Sequence, residues 1–537
     1  MKKFVVILSL ILLLLGAGFF GLWYYAHEKA EDWVRDALKH RLLPEVEVSF
    51  GQLKFDLLNR NLELYHLQVH RTQGDSLEWS AFVQRIRLQG FNLEFLWKDV
   101  AVALEEIDID SAKLVLHSAR PNFRLFTSDT LAESPDTQRR SLSIGRVYML
   151  GGQLDFDPPG PERLQCNFEA GLRNFIHNPA LGKPNWDSSA LHFRDVLYQP
   201  ADSVYRLQLA DLRVEKAEPV VVLRHLEWLP NLGEKAFARR FPHRKTRMHL
   251  RLDSASFQGI DIMQMDTLRL KRLDAYGLWV ALWRDNRLPK PSETKPMPQE
   301  MLTALKLPLH IEAISLRTGR MDFSLKSRDE ADAGKLFFTA LRADILGLQN
   351  IDKQLPAFRL TAQGRLQGQS ALRLNARYSY GPEHPWEIAA SAGSFELAQL
   401  NPIISSAVGM KISQGEMQEL KYEMRGDAQG GRGFVDFYYR NLHLEMLQRN
   451  TRRERWIGRL ADQLGGWVYR RHNPERTVYK RGDFAVERDR YKDFTGLWVD
   501  GLLEGMLETL SKIDTHKARE LKRRQQDRQK ERKRRRN

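Results

Sequence analysis

The chain has 537 residues, of which 42% are hydrophobic and 28% charged, a composition that excludes a disordered chain. Its net charge is +15, but the last 21 residues hold twelve Lys and Arg against three acidic residues, so the body carries only about +6 and is not a basic nucleic-acid-binding body. The single cysteine, Cys166, excludes an intrachain disulfide and does not fix the compartment.

The N-terminus carries a candidate membrane anchor. Residues 4–25 form an apolar run of 22 residues that begins after Lys2 and Lys3. At ~1.5 Å per residue the run can cross a hydrocarbon core of ~30 Å, and aromatic residues crowd its far end, as at a membrane interface. A cleaved signal peptide is the alternative, although no A-x-A site follows the run. We predict an uncleaved single-pass anchor over residues 1–27, a linker helix over residues 28–44, and most of the chain outside the cytoplasm.

From residue 45 onward, apolar and polar residues alternate with the period of half-buried β-strands. One pattern recurs in residues 104–116, 141–156 and 309–323. Two alternating stretches flank a small residue, which predicts a strand, a short turn and a second strand. This recurrence indicates a quasi-repetitive sheet. The alternative is that any β-rich protein contains similar hairpins by chance.

A Pro-rich segment divides the predicted sheet. Residues 284–300 are predicted to be a linker between an N-terminal β region, residues 45–283, and a C-terminal β region, residues 301–448. The predicted fold is mainly β, with an N-terminal transmembrane helix. It is an elongated, curled sheet of repeating β-groove units with amphipathic helices at the C-terminal end.

The C-terminal region changes character. Residues 449–516 are predicted to form amphipathic helices, and residues 517–537 form a basic tail. The first helix has a basic face that favours a membrane surface, while a capping helix with a solvated face is the alternative. The residues predicted to meet the membrane surface are Arg452, Arg453, Arg455, Trp456, Arg459 and Trp467. In a second helix, over residues 491–513, Gly501 and Gly505 could allow close contact with a neighbouring element.

The sequence contains none of the familiar catalytic or metal-binding motifs. It has no phosphate-binding loop that ends in Lys, no H-E-x-x-H and no paired C-x-x-C. We therefore predict no catalytic residue, no metal site, no cofactor and no enzyme activity.

The apolar face of such a sheet needs a cover. A sheet with one apolar face can curl on itself, receive helices or hold lipid tails, and few helices are predicted between residues 46 and 447. About 25 strands at ~4.8 Å would give a groove on the order of 100 Å long, in which acyl chains can slide because apolar contact has no direction. A closed, dry core is the alternative. The residues predicted to line the groove are Ile107, Ile109, Leu114, Leu116, Ile144, Val147, Met149, Leu154, Phe156, Ile311, Ile314, Leu316, Met321 and Phe323.

The order of these features resembles the AsmA-like family of envelope proteins, which belong with TamB-type and bridge-like lipid-transfer proteins built from repeating β-groove units. The resemblance rests on the N-terminal span followed by residues 46–69, on residues 85–156, and on residues 415–473, which read GEMQELKYEMRGDAQGGRGFVDFYYRNLHLEML before Asn473 and Pro474. The basic tail departs from the family pattern.

The resemblance implies an inner-membrane protein whose bulk projects into the periplasm of a diderm bacterium. It also implies a U-shaped sheet with an apolar inner face and a link to phospholipid transport and outer-membrane biogenesis. The expected partners are phospholipid, the inner membrane through residues 4–25, and envelope proteins, with no nucleic acid. The alternative function is a scaffold that binds no lipid and organises outer-membrane assembly partners. A third hypothesis places the chain in the cytoplasm, with its basic tail bound to nucleic acid.

Overall fold

The protein is mainly β, as predicted: in a computed structural model, the described residues form 22 strands of a mixed sheet and few helices. The structure describes residues 44–56, 59–73, 76–92, 102–118, 142–177, 185–202, 204–216, 220–260, 267–326, 333–354, 356–381, 383–408, 410–446, 469–474 and 479–511. Among these residues, no helix has both the length and the apolar character that a membrane crossing requires.

Several predicted features lie outside the described residues. These are the anchor over residues 4–25, nearly all of the linker helix over residues 28–44, and the basic tail over residues 517–537. The same holds for every predicted membrane-surface residue, namely Arg452, Arg453, Arg455, Trp456, Arg459 and Trp467.

The chain divides into two compact units, Met1–Leu226 and Glu227–Asn537. The first unit contains nine strands and the start of a tenth. These strands are β1 Val46–Ser49, β2 Gln52–Asp56, β3 Asn61–Gln73, β4 Ser76–Gln89, β5 Val102–Leu116, β6 Leu142–Phe156, β7 Arg163–His177, β8 Ser188–Gln199, β9 Tyr205–Glu215 and β10 Val220–Pro230. Consecutive strands from β3 to β9 are neighbours, and β1 and β2 both pair with β3. All these pairs are antiparallel except β5 with β6, which run parallel.

The second unit continues the same style of sheet. Its strands are β11 Thr246–Gln258, β12 Leu268–Tyr276, β13 Trp279–Asp285, β14 Leu309–Lys326, β15 Gly334–Gln349, β16 Pro356–Leu366, β17 Ser370–Ser379, β18 Trp386–Ala392, β19 Phe395–Glu396, β20 Met410–Gly426, β21 Gly430–Met446 and β22 Gly482–Glu487. Strands β12 and β13 both pair in parallel with β14, and the remaining pairs are antiparallel.

The recurring sequence unit is not a hairpin, so that part of the prediction is wrong. Strands β5, β6 and β14 each run unbroken through the predicted turn. The turn position instead holds a residue in the left-handed region: Ser111 has φ +53°, Gly151 +65° and Thr318 +56°. Such a residue interrupts a strand locally and shifts the alternation of its side chains, as in a β-bulge. A shift and a tight turn both break the period of two, so they produce the same pattern in the sequence.

Within the described residues, four helices and one 3-10 turn accompany the strands. They are α1 Glu234–Arg240, α2 Pro298–Ala304, the 3-10 turn Leu397–Leu400, α3 Asn401–Val408 and α4 Phe494–Leu510. Helix α4 corresponds to the helix predicted over residues 491–513. It begins after Asp493, whose carboxylate accepts a hydrogen bond from the backbone N–H of Gly496 at 3.1 Å, a typical N-cap.

Helix α4 closes the one extensive dry core that the described residues contain. It packs on β20, β21 and β22, and the core beneath it includes Met424, Val435 and Phe437, each at most 1% exposed. Gly501 and Gly505 lie at the contact: a Cβ atom on Gly501 would lie 2.7 Å from the ring of Phe484, and one on Gly505 would overlap the side chain of Val435. The close contact expected at these two glycines is therefore present.

The Pro-rich segment packs within the second unit. Met297 is fully buried, and its backbone N–H donates to Glu300 Oε2 at 2.6 Å at the start of α2. The backbone N–H of Lys295 donates to the carbonyl of Arg490 at 2.7 Å, just before α4. The chain thus divides after Leu226, and residues 284–300 belong to one of the two units.

Gly505→Ala is expected to destabilise the protein by ~1–2 kcal/mol, because overpacking at Val435 outweighs the better helix propensity of Ala. The matched control is Gly496→Ala in the same helix, where the atoms nearest to the new methyl group belong to the side chain of Lys492. This control should be neutral or stabilising by up to ~1 kcal/mol. Urea unfolding of both variants measures the difference, and equal midpoints would contradict the close packing of α4.

Candidate functional site

One face of the sheet in the first unit is apolar across neighbouring strands. Ile109 of β5 lies beside Ile86 of β4 and Met149 of β6, and the pairing continues in both directions. Four rows of paired residues form this surface, which we call the apolar face. The rows are Phe55, Leu62, Leu88, Ile107, Val147 and Leu172; Leu53, Leu64, Ile86, Ile109, Met149, Ala170 and Leu191; Val48, Val69, Ala81, Leu114, Leu154 and Cys166; and Trp79, Leu116, Phe156, Leu164, Tyr198 and Leu207.

The apolar face keeps its character because strands β3 to β6 shift alternation at the same level. In β5, Ile107 and Ile109 share a face with Leu114 and Leu116 only if the alternation slips by one residue between them. The slip occurs along a line of adjacent residues at which the ladder pairs are missing. We call this line the phase-shift row; its members are His66, Gln84, Ser111 and Gly151.

The second unit supplies direct evidence that residues three apart share a face across such a shift. In β14 the left-handed residue is Thr318. A Cβ atom built on Gly319 would lie 3.3 Å from Cδ2 of Leu316 and 3.0 Å from Cβ of Leu341. Leu316 precedes the shift and Gly319 follows it, so the two positions lie on the same side of the sheet.

Most of the apolar face is half-buried rather than buried. Trp79 and Cys166 are buried, whereas the residues predicted to line the groove on these rows all keep intermediate exposure. No helix among the described residues makes an extensive contact with β1 to β9. Met424 and Val435, under α4 in the second unit, are at most 1% exposed. Among the described residues, the apolar face therefore has no helical layer like the one that α4 forms over the core of the second unit.

The opposite face of the same strands is charged. Ion pairs link side chains on adjacent strands, a pattern that stabilises a sheet locally. The pairs are Arg87 with Glu63 at 2.8 Å, Arg146 with Glu106 at 2.5 Å, Lys113 with Asp155 at 3.2 Å, and Arg85 with Asp110. Each is partly exposed, so each contributes at most ~1 kcal/mol. This face can remain in water without a partner.

Hydrogen bonds lower the pKa of carboxyl groups on the charged face. Tyr65 donates to Glu63 at 2.5 Å, and this bond, followed by that from Arg87, holds the pKa of Glu63 below its usual range. Burial alone would raise the pKa of Asp211, but the hydrogen bond from His192 and the charges of nearby arginines outweigh it and lower the value. Both carboxylates are therefore ionised at neutral pH.

In the second unit, the exposure of apolar side chains decreases along a row of paired residues. The row through Ile314 comprises Phe257, Leu273, Ile314, Ile345, Leu360, Ala376, Ile388 and Met424. Ile314 is half-buried, Ile388 is 4% exposed and Met424 is 1% exposed. Burial thus increases along one row toward α4. Leu316, Met321 and Phe323 belong to parallel rows and are also half-buried.

Two of the predicted groove residues are buried rather than half-buried. Ile144 is 9% exposed and Ile311 is 7% exposed. Each lies just before another level of the sheet at which a pair is missing from the strand ladder. For Ile144 that level contains Asn174 (φ +52°), and for Ile311 it contains Gly347 (φ +66°). By the same slip in alternation, each joins the face of the apolar residues that follow it.

Sequence reasoning missed the apolar residues that continue the rows on β4 and β7. Leu88, Ile86 and Ala81 lie on one side of the predicted residues, and Leu172, Phe168 and Leu164 lie on the other. The alternation on β4 slips as it does on β5, whereas on β7 it is regular from Leu172 to Leu164, so the signal was present in the sequence. Their assignment required the register of the strands, which alternation within a single strand does not supply.

No family model and no curated protein matches this chain. The resemblance to AsmA-like proteins accordingly stays a prediction. Among the described residues no group of three or more His, Cys, Asp or Glu is arranged to hold a metal ion.

Ser111→Gly is expected to leave the stability of the first unit unchanged or to raise it by up to ~1 kcal/mol. Relief of the left-handed strain at φ +53° offsets the greater freedom of Gly in the unfolded chain. The matched control is Ser80→Gly on β4, where the backbone is ordinary strand and the same substitution should cost ~0.5–1 kcal/mol. Urea unfolding midpoints measure both variants, and an equal loss would argue against the phase-shift row.

Proposed function

We propose that the protein binds the acyl chains of phospholipids along its apolar rows and conducts lipid between membranes of a bacterial envelope. In this proposal it is a membrane-anchored, periplasmic protein of the AsmA-like type that supports outer-membrane biogenesis. The observation that supports the proposal is the apolar face itself: four rows of half-buried aliphatic and aromatic side chains on which no described helix packs extensively.

The energetics favour an apolar occupant. Covering apolar surface is worth ~25 cal/mol per Å², or ~0.8 kcal/mol for each buried CH₂ group. A chain of methylene groups laid along Ile107, Ile109 and Leu114 would complete the burial that the strands leave unfinished. Because such contact has no direction and no fixed site, a lipid can move from one row to the next.

The distribution of charge favours a lipid over an apolar peptide or a small ligand. The rows on β4 to β6 contain no charged residue, and Arg71 of β3, which continues the fourth row beside Trp79, forms an ion pair with Glu78 at 3.1 Å. Ion pairs also cover the reverse side of the same strands. An acyl chain needs no hydrogen bonds and leaves its headgroup in water, whereas a buried peptide would leave unpaired backbone groups on such a face. In this proposal the sheet curls around the acyl chains as a groove.

Site-specific photo-crosslinking tests the proposal at residue resolution. A benzoylphenylalanine placed at Ile109, Met149 or Ile314 in the full chain is expected to give phospholipid adducts in mass spectra, because these side chains belong to the apolar rows. The matched controls are the adjacent residues Asp108 and Tyr148, whose side chains alternate to the opposite face.

The comparison between neighbouring positions decides the outcome. Lipid adducts at least fivefold more abundant at Ile109 than at Asp108 would support a lipid-binding face. Equal yields at both positions, or protein adducts alone at Ile109 in a folded sample, would overturn the proposal and favour the scaffold that organises envelope partners.

A further inference from the structure

Two neighbouring connections in the second unit expose apolar side chains to solvent. One comprises α2 and the residues between α2 and β14, and the other joins β15 to β16. Met301 is 52% exposed, Leu305 51%, Leu307 44% and Ile351 47%. These residues lie on connections rather than on the rows of the sheet, so the proposed acyl-chain surface does not account for them.

Asn350 holds the two connections together. Its Nδ2 donates to the carbonyl oxygens of Leu302 at 3.1 Å and Leu307 at 3.2 Å, and its Oδ1 accepts from the backbone N–H of Leu309 at 2.7 Å. A single side chain therefore fixes the end of α2 and the start of β14 against the turn after β15.

Gln349 builds the turn that presents Ile351. This side chain is only 4% exposed, and its Oε1 accepts from the backbone N–H groups of Ile351 and Asp352, each at 2.8 Å. Its Nε2 donates to the carbonyl of Asp352 at 2.6 Å, and Tyr380 donates to its backbone carbonyl at 2.6 Å. The exposure of Ile351 is thus imposed by a buried polar network and does not result from loose packing.

Two of the three exposed charged side chains in these connections are lysines. Lys306 lies between Leu305 and Leu307 in the chain, and Lys353 follows Ile351 by two residues; both lysines are exposed. Neither forms an ion pair within the part of the chain that the structure describes. The two acidic residues of the connections are both engaged locally. Glu300 accepts from the backbone N–H of Met297 at 2.6 Å, and the carboxylate of Asp352 accepts from the backbone N–H of Gln354 at 2.8 Å.

We infer that these residues form a lip that inserts into the surface of a phospholipid bilayer containing anionic lipid. The lip is defined as Met301, Leu305, Lys306, Leu307, Ile351 and Lys353. Apolar side chains held in solvent by a built scaffold mark an interaction surface. Interleaved apolar and basic residues match the boundary between acyl chains and anionic headgroups, where a lysine is attracted by the negative surface charge.

The lip does not depend on lipid transfer by the apolar rows. A protein that only anchors to a membrane could carry the same lip, and a lipid-conducting sheet could lack it. Loss of the lip contact would therefore leave the crosslinks expected at Ile109 unchanged, and the two ideas fail separately.

Depth-dependent quenching tests the lip in the full chain. An NBD fluorophore is attached at Leu305→Cys or Leu307→Cys, with Cys166→Ala removing the native thiol. The chain is incorporated into vesicles of phosphatidylglycerol and phosphatidylcholine that contain doxyl-labelled phosphatidylcholine. The matched control is Val499→Cys on α4, which is 50% exposed and so equally accessible to solvent.

Quenching at the two lip positions is expected to be at least twofold stronger than at residue 499. Adding Lys306→Glu and Lys353→Glu together should reduce that excess by at least half, because the headgroup attraction becomes repulsion. Equal quenching at all three labelled positions would overturn the inference. So would an excess that the charge reversal leaves unchanged, because the surface would then not recognise anionic lipid.

Discussion

The hydrophobic effect acts on a single face of each sheet, and the strands are built to keep that face apolar over their whole length. A strand of 15 residues, such as β5, presents its side chains to alternate faces. A slip in alternation that neighbouring strands did not share would expose its apolar residues to water. The slips present here occur at the same level in adjacent strands, at His66, Ser111 and Gly151. Because the shift is shared across strands, one surface remains apolar on both sides of it.

One row of the second unit contains both half-buried and almost fully buried apolar residues. Ile314 is half-buried, whereas Met424, farther along the same hydrogen-bonded row, lies under α4 and is almost fully buried. Close approach of that helix depends on Gly501 and Gly505, which have no side chains to hold it away from Phe484 and Val435. Beneath this helix the sheet has an ordinary closed core, whereas most residues of the apolar face in the first unit keep part of their exposure.

Alternation in the sequence was sufficient to find the strands and the apolar positions on β5, β6 and β14, because burial on one face imposes a period of two. It was insufficient to distinguish a turn from a shift within a strand, since both break that period. Residues on β4 and β7, such as Ile86 and Leu172, could be joined to the rows only through the register between strands. The buried network around Gln349 had no sequence signal, because its partners are backbone groups.

The charged face constrains what can cover the apolar one. Ion pairs such as Arg85 with Asp110 and Arg87 with Glu63 satisfy their partners across neighbouring strands while remaining partly in water. A second layer on that side would have to desolvate these charges at a cost that the pairs themselves do not repay. Any occupant that stabilises the sheet must therefore lie on the apolar side. A flexible hydrocarbon chain fits rows of mixed Leu, Ile, Val and Phe without requiring a complementary shape, which a second sheet would require. The same amphipathic division that holds the strands in register is therefore consistent with the lipid occupant that we propose.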